Sequence, residues 1–363
     1  MPDRQFTIAN VFGFDPSRHP GILDRLFDRM NLWRQSGVRA EIIVCCREES
    51  RMPHIEAPKG HGLHVLSGRN SLHASLQIPR TLRRLSFDAM YLRSDPFPAV
   101  IAAARKWPTV LELHGDIAAE KKLLSAPQRI MAGLAPWLIR SVNGIVFVDP
   151  SLANLPHLNL SNVPHTVITN GIVLPATDPA YAEPPASTVA RPRCILSVGS
   201  PYAWQGVDKY LALAKQLPEF DFFVVGVTDV PSNAPSNVHV LAFQGLDALN
   251  DVLRTMDVGF GNLALERVGR RTPSPLKVRE YLAKGLPCII AHEDPDLPRA
   301  QGVLNLGYGF EVDQQSVTAV RSFVRHWKGR SVPRETMELV SARPKEQKRL
   351  AFVHTVLQNT ALS

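Results

Sequence analysis

Cysteine is scarce and badly spaced for metal or disulfide chemistry: Cys45 and Cys46 adjoin, while Cys194 and Cys288 stand alone near apolar runs. No pair has CxxC or ligand spacing, so no metal is expected and four buried free thiols are. No stretch approaches the roughly 18–20 apolar residues that span a bilayer. The opening residues run directly into strand-like sequence at 6–11, which reads as no signal peptide and predicts a cytoplasmic protein. A GxGxxG fingerprint is missing, which argues against a dinucleotide dehydrogenase. Aromatic residues make up 7% and do not interleave with basic runs, so no platform for stacking single-stranded nucleic acid is present. Acidic residues are in deficit, with 33 against 41 basic ones and a net charge of +8. The excess is spread along the chain, with 20 basic against 15 acidic residues up to position 180 and 21 against 18 beyond it. That balance suits small anionic ligands such as nucleotide diphosphates, or an anionic membrane surface, and predicts no nucleic-acid face.

What the chain does have is alternation. Apolar strand-length runs at 6–11, 40–46, 63–66, 89–92, 109–113, 144–148 and 166–168 alternate with helical periodicity, as in 21–36, where Ile22, Leu26, Met30 and Trp33 share one face. Several runs are continuously apolar, the pattern of strands buried on both faces of a parallel sheet. Between 175 and 192 five prolines stand among Ala, Ser and Thr, a linker composition. The pattern then restarts, with strands expected at 194–198, 222–226, 238–241, 258–261, 288–291 and near 307–312, separated by helices. The predicted fold is therefore α/β, with two doubly wound Rossmann-like domains at 1–174 and 193–340, facing each other across a cleft. A polar-amphipathic helix in 341–363 is left to pack back on the first domain.

Two segments carry chemistry. Ser274-Pro275-Leu276-Lys277-Val278-Arg279-Glu280-Tyr281-Leu282-Ala283-Lys284-Gly285-Leu286-Pro287 reads as a helix with Ser274 as N-cap and Pro275 in first position, ended by Gly285. Its amino end offers amide donors and a positive dipole to a phosphate, and Glu280 offers a carboxylate to ribose hydroxyls. Lys277 in the first turn opposes the helix dipole, a placement a bound anion explains. Strand 194–198, the turn at Gly199 and Ser200, and Gln205-Gly206 make a strand–turn–helix in which Gly199 lets backbone approach a diphosphate. In the first domain, Val110-Leu111-Glu112-Leu113-His114 is a strand ending in a histidine able to shuttle a proton. Arg93 ends the preceding strand, and the loop after the first strand carries Gly13, Arg18 and His19. Basic stretches at 76–85 and 121–140 could rest on anionic lipid, although core-packing helices with charged outer faces are the stronger reading.

The segment from Ser274 resembles the donor helix of glycosyltransferase family 4, with its Ser-Pro-x-Lys-x-x-Glu-Tyr-x-Ala-x-Gly-x-Pro run. The segment from Cys194 is similar to that family's strand followed by Val-Gly-Arg and Lys-Gly, but with Ser200 in place of the arginine and Gln205 in place of the lysine. Thr272 stands where the first of the family's two glutamates belongs, and Arg270 and Arg271 lie in the same loop. Val167-Ile168-Thr169-Asn170-Gly171 matches the family's Asn-Gly turn and is read as a marker of register.

The resemblance implies the GT-B architecture and a metal-independent, retaining transfer of a sugar from a nucleotide-sugar to a saccharide or lipid-linked acceptor, in bacterial polysaccharide or glycoconjugate synthesis. It implies donor contacts from Gly199, Ser200, Gln205, Arg271, Ser274, Pro275, Leu276, Lys277 and Glu280, and catalytic roles for His114 and Lys277. Acceptor or sugar contacts fall to Gly13, Arg18, His19 and Arg93. No cofactor is implied, and peripheral contact with the inner face of the membrane is left open. Two alternatives stand beside this reading: a non-catalytic scaffold of the same fold, and a sugar-nucleotide epimerase.

Overall fold

The computed structural model describes residues 5–13, 20–47, 56–116, 126–160, 163–175, 191–199, 202–227 and 233–361. The chain forms two compact units, Met1–Ile168 with Arg343–Ser363, and Thr169–Ala342. The proline-rich segment 176–190 lies outside the described residues.

The first unit holds a seven-stranded sheet built from β1 Thr7–Phe12, β2 Arg39–Arg47, β3 Gly62–Gly68, β4 Ala89–Arg93, β5 Thr109–Leu113, β6 Gly144–Phe147 and β7 His165–Val167. Its order is β3-β2-β1-β4-β5-β6-β7, and every pairing is parallel. Parallel neighbours need crossovers, and helices supply them. They are α1 Pro20–Gln35, α2 Ser71–Ser75, α3 Ile78–Leu82, α4 Pro98–Lys106, α5 Ala126–Ala132, α6 Ala135–Ile139 and α7 Pro150–Ala153. Each sheet face has its own core. Met90, Leu92, Leu111 and Phe147 pack beneath α2 to α6, and Ile8, Tyr91, Val110 and Val146 pack with Met30 and Trp33 of α1. The latter core also takes Leu350, Val353 and Val356 from the last helix.

The second unit repeats the plan with β8 Arg193–Ser197, β9 Asp221–Val225, β10 Val238–Leu241, β11 Val258–Phe260, β12 Cys288–Ile290 and β13 Val303–Asn305. Their order is β10-β9-β8-β11-β12-β13, again all parallel. The helices are α8 Val207–Gln216, α9 Leu246–Leu253, α10 Leu276–Ala283, α11 Gln314–Trp327 and α12 Arg334–Leu339, with α13 Ala342–Ala361 closing the chain on the first unit. Both orders reverse direction beside the first strand, and ligands of doubly wound sheets bind outside the carboxyl ends at that point.

One local expectation changes and another holds. The segment 307–312 is not a strand. Gly307 and Gly309 there have φ of +91° and +74°, which break extended backbone, and the edge strand is β13 instead. The stretch 126–139 forms two short helices, because Gly133 follows α5 and Pro136 sits in the first turn of α6, where its missing N–H costs nothing. All four cysteines are buried and free, and the thiol of Cys45 is pushed up to about 12, chiefly by that burial.

Candidate functional site

In the second unit the helix α10 is fixed to the sheet by Tyr281. Its hydroxyl accepts from Ser197 N at 2.9 Å and bonds Ser197 Oγ at 2.8 Å, while its ring leaves no space for a Cβ at Gly259 of β11. The helix starts one residue later than its sequence suggests. Pro275, with extended backbone at φ −63° and ψ 134°, is the cap, Leu276 comes first, and no side chain caps the turn. Ser274 is buried and otherwise engaged: its Oγ accepts from Asn170 N at 3.0 Å, and its carbonyl accepts from Asn170 Nδ2 at 2.9 Å. The Asn-Gly turn that read only as register is therefore a clamp on the residue before the donor helix.

The same clamp continues through Arg279. This fully buried guanidinium donates to both oxygens of Asp294, to Asp296 at 2.5 Å and to the Asn170 carbonyl at 3.2 Å, and Thr169 Oγ1 donates to Asp296 at 2.9 Å. Despite its burial, Asp294 is held well below the usual carboxylate range, by its hydrogen bonds from Arg279 above all. Asp294-Pro295-Asp296 is an Asp-x-Asp that the sequence reading passed over, and both carboxylates are spent on this clamp.

Gly199 stands two residues past the end of β8 and is exposed, and a Cβ there would meet nothing within 4 Å. Ser200 lies outside the described residues. Gln205 closes a short 3-10 turn, and Gly206 follows at φ +74°, pressed against Leu263 of the loop after β11, where a Cβ would lie 2.6 Å away. That arrangement buries Gln205 and aims its amide at α10, where Lys277 Nζ donates to Gln205 Oε1 at 2.6 Å. So the residue standing in place of a lysine holds another lysine. Burial pushes the Lys277 ammonium down to about 7, opposed only by the charge of Glu280 one turn further along. Glu280 is half-buried.

Arg271 is committed elsewhere: its Nε donates to Glu293 at 2.9 Å, and its guanidinium lies 5.7 Å from the Tyr308 ring centre. Thr272 lines a cavity of about 510 Å³ with Asp294, Arg299 and Asn305. Glu266 receives Lys209 Nζ at 2.8 Å, so this glutamate serves a buried lysine that also donates to the Phe310 carbonyl.

In the first unit, His114 follows β5 and Arg93 ends β4, with Gly13 N donating to the Arg93 carbonyl at 3.1 Å across the point where strand order reverses. A Cβ on Gly13 would lie 1.5 Å from Ser94 Oγ, so only glycine fits this approach. Arg18 and His19 lie outside the described residues. His114 Nε2 bonds Glu112 Oε1 at 2.5 Å. Glu112, fully enclosed in the sheet, also receives Tyr91 OH at 2.5 Å, Arg29 at 3.1 Å and Arg349 of α13 at 3.0 Å. Arg349 further binds Glu346 at 2.5 Å and Tyr91 OH at 2.8 Å, and Glu346 takes Arg29 at 3.2 Å and Trp33 Nε1 at 2.9 Å. Against the cost of burial, the two arginines and His114 hold Glu112 well below its ordinary range. Burial first, then the nearby Arg93 charge, push His114 down to about 4. Arg93 itself falls to about 10, chiefly through burial. The sequence held one signal of this network: a glutamate in the middle of an otherwise apolar, doubly covered strand.

No protein-family model matches the chain, and no curated protein matches it by sequence. Solved structures do. A lipopolysaccharide outer core galactosyltransferase in its apo form aligns over 96% of this chain and 99% of its own, with TM-score 0.65 and 11% identity. An alpha-glucosyltransferase solved with UDP and DNA aligns over 97% and 100%, with TM-score 0.61 and 10% identity. A UDP-forming trehalose-phosphate synthase from Burkholderia xenovorans aligns over 97% and 99%, with TM-score 0.61 and 12% identity. At such identities the likeness establishes the fold: two Rossmann-like units of the GT-B type.

Proposed function

We propose that this chain is a retaining, metal-independent glycosyltransferase that moves a sugar from a nucleotide-sugar to a saccharide or lipid-linked acceptor, in bacterial polysaccharide or glycoconjugate synthesis. The observation that carries it is the Lys277–Gln205 pair at the amino end of α10. A half-buried ammonium whose hydrogen-bond partner is a neutral amide, beside first-turn amides, is an anion site lacking its anion's charge. A diphosphate supplies that charge, and the leaving diphosphate is where negative charge develops during transfer. Glu280, one turn on, serves the ribose hydroxyls. Ser274, Pro275 and Leu276 present the first-turn amides, and Gly199 with Ser200 closes on the diphosphate from β8. Arg271 reaches the donor only by releasing Glu293, which makes Lys277 the principal cation. His114 acts on the sugar or the acceptor hydroxyl, with Gly13 and Arg93 on the acceptor side, where the resemblance also assigns Arg18 and His19.

The test is incubation with UDP-glucose, UDP-galactose and GDP-mannose, following free nucleotide and sugar identity. Nucleotide release that rises with added acceptor supports transfer. A new sugar isomer would replace it with epimerisation. Neither product nor any thermal shift from the three donors would leave a scaffold of this fold, the reading favoured by Gln205 standing where a lysine belongs.

Partner contact with an anionic membrane is proposed for the outer face of α2 to α6. These five helices contain no acidic residue, while Arg80, Arg83, Arg84, Arg105, Lys106, Arg129 and Arg140 lie on them or at their ends. Ile130 and Trp137 are 69% and 54% exposed there, with Arg105 over the Trp137 ring. Cations and an interfacial aromatic on one face suit anionic headgroups. Among the described residues no helix is long and apolar enough to cross a membrane. Co-sedimentation with vesicles containing phosphatidylglycerol, but not with pure phosphatidylcholine, is expected. Equal binding to both, or to neither, removes this contact.

A further inference from the structure

Arg349 and Glu346 sit on the last helix, more than 230 residues from His114 in the chain, yet they reach the carboxylate that holds its imidazole. Among the described residues, Arg93, Glu112 and Arg29 act on that imidazole directly, and Arg349 and Glu346 join through Glu112. Arg29 comes from α1, Arg93 from β4, Glu112 from β5, and Glu346 and Arg349 from α13. Three arginines face two glutamates, and Tyr91 adds a neutral hydroxyl. A histidine beside a lone buried glutamate would be drawn toward its cationic form. Here the arginines have already answered both carboxylates, so a further positive charge is opposed.

We propose that Arg349 is a positioning residue for His114, keeping its imidazole neutral with the Nε2 proton committed to Glu112, and that Glu346 holds Arg349 in place. The other nitrogen, Nδ1, is then the acceptor in this tautomer. The chemistry fits an imidazole that receives a proton or hydrogen bond from a hydroxyl rather than one that offers a cation. Its bearing on turnover rests on the transferase reading above, but the wiring does not. The network also gives the carboxyl-terminal helix a chemical task. Trp33 Nε1 and Arg29 fix Glu346, Glu346 fixes Arg349, and Arg349 with Tyr91 fixes the Glu112 oxygen opposite the one that holds His114.

The experiment is nitrogen NMR of the full chain labelled at histidine, with His114→Gln identifying the His114 signals among the twelve histidines. The wild type should show His114 neutral and protonated at Nε2 from pH 5 to 8. Arg349→Met should raise the His114 pKa by one unit or more, about a tenfold shift in proton affinity, because Glu112 loses a counter-charge. Arg349→Lys should restore most of the wild-type behaviour. Glu346→Gln should leave His114 neutral, since it removes an anion. Should Arg349→Met fail to fold, Tyr91→Phe tests the same link by deleting one hydrogen bond to Glu112, and again raises the His114 pKa. A wild-type His114 cationic at pH 6, protonated at Nδ1 instead, or unmoved by both Arg349→Met and Tyr91→Phe, overturns the proposal. In a transferase assay Arg349→Met should lower kcat with donor KM unchanged. Correct titrations with undiminished turnover in His114→Ala would leave the wiring intact and refute only the catalytic reading of His114.

Discussion

The two units share one topology and solve opposite electrostatic problems. Around His114 both carboxylates have their counter-charges inside the protein, in a network closed by Glu112, Arg29, Glu346 and Arg349. Around Lys277 the hydrogen-bond partner is a neutral amide, the nearest counter-charge is Glu280 one turn along, and burial pushes the ammonium down to about 7. A self-satisfied network keeps its geometry with nothing bound, as an acid–base group requires. An under-compensated cation is costly alone and favourable once an anion arrives, as a binding site for a diphosphate requires.

The largest effect expected of any substitution is on the histidine side. His114→Ala should lower kcat by roughly 10²- to 10⁴-fold with donor KM little changed, the range for losing a positioned acid–base group. Steady-state kinetics on the responsive donor checks it, and wild-type turnover would reduce His114 to a turn residue.

Next comes the cation. Lys277→Ala should weaken UDP binding about 10- to 100-fold, the loss of one charge-assisted hydrogen bond, while uridine binding changes far less. The gap should widen at low salt. Calorimetric titration that finds the two ligands equally affected would move the diphosphate elsewhere. Glu280→Ala should cost about 1–3 kcal/mol in nucleotide affinity. Undiminished affinity for UDP would end the ribose assignment.

The smallest effect distinguishes the units by acid. The folded-state pKa of His114, about 4, lies below its ordinary 6.5, so the unfolded chain binds the extra proton first. Stability should then fall as pH drops from 6.5 toward 4, by about 1.4 kcal/mol per unit at most. Glu112 and Asp294, held below the carboxylate range, contribute stability that is lost only below about pH 4. Urea unfolding at pH 7.5 and 5 should show the loss, and His114→Ala should reduce it, leaving the smaller part that Lys277 and His61 contribute. An equal loss in that variant would place the sensitive group elsewhere.

Much of the fold was legible because buried parallel strands write continuous apolar runs and helices write a 3.6-residue period. Edge strands were the weak point. β13 is three half-exposed residues, and two positive-φ glycines near 307–309 were mistaken for strand context. The helix α10 was legible too, with Pro275 before it and Gly285 after it. Its cap was not, because whether Ser274 caps α10 or serves Asn170 depends on a residue 104 positions away.

By itself, then, the sequence determined where the chain alternates strand and helix, where it restarts, and which side chains stand at strand ends with chemistry to offer. Those properties are local, set by period, turn residues and burial preference. Only the tertiary structure decided what each of those side chains faces. It gave Gln205 to Lys277, Asp294 and Asp296 to Arg279, Glu293 to Arg271, and Arg349 to the carboxylate behind His114. The reason is that charge pairing is short-ranged in space and blind to sequence separation, so a residue's role as base, cation or clamp is fixed only when folding brings its partner within a few ångströms.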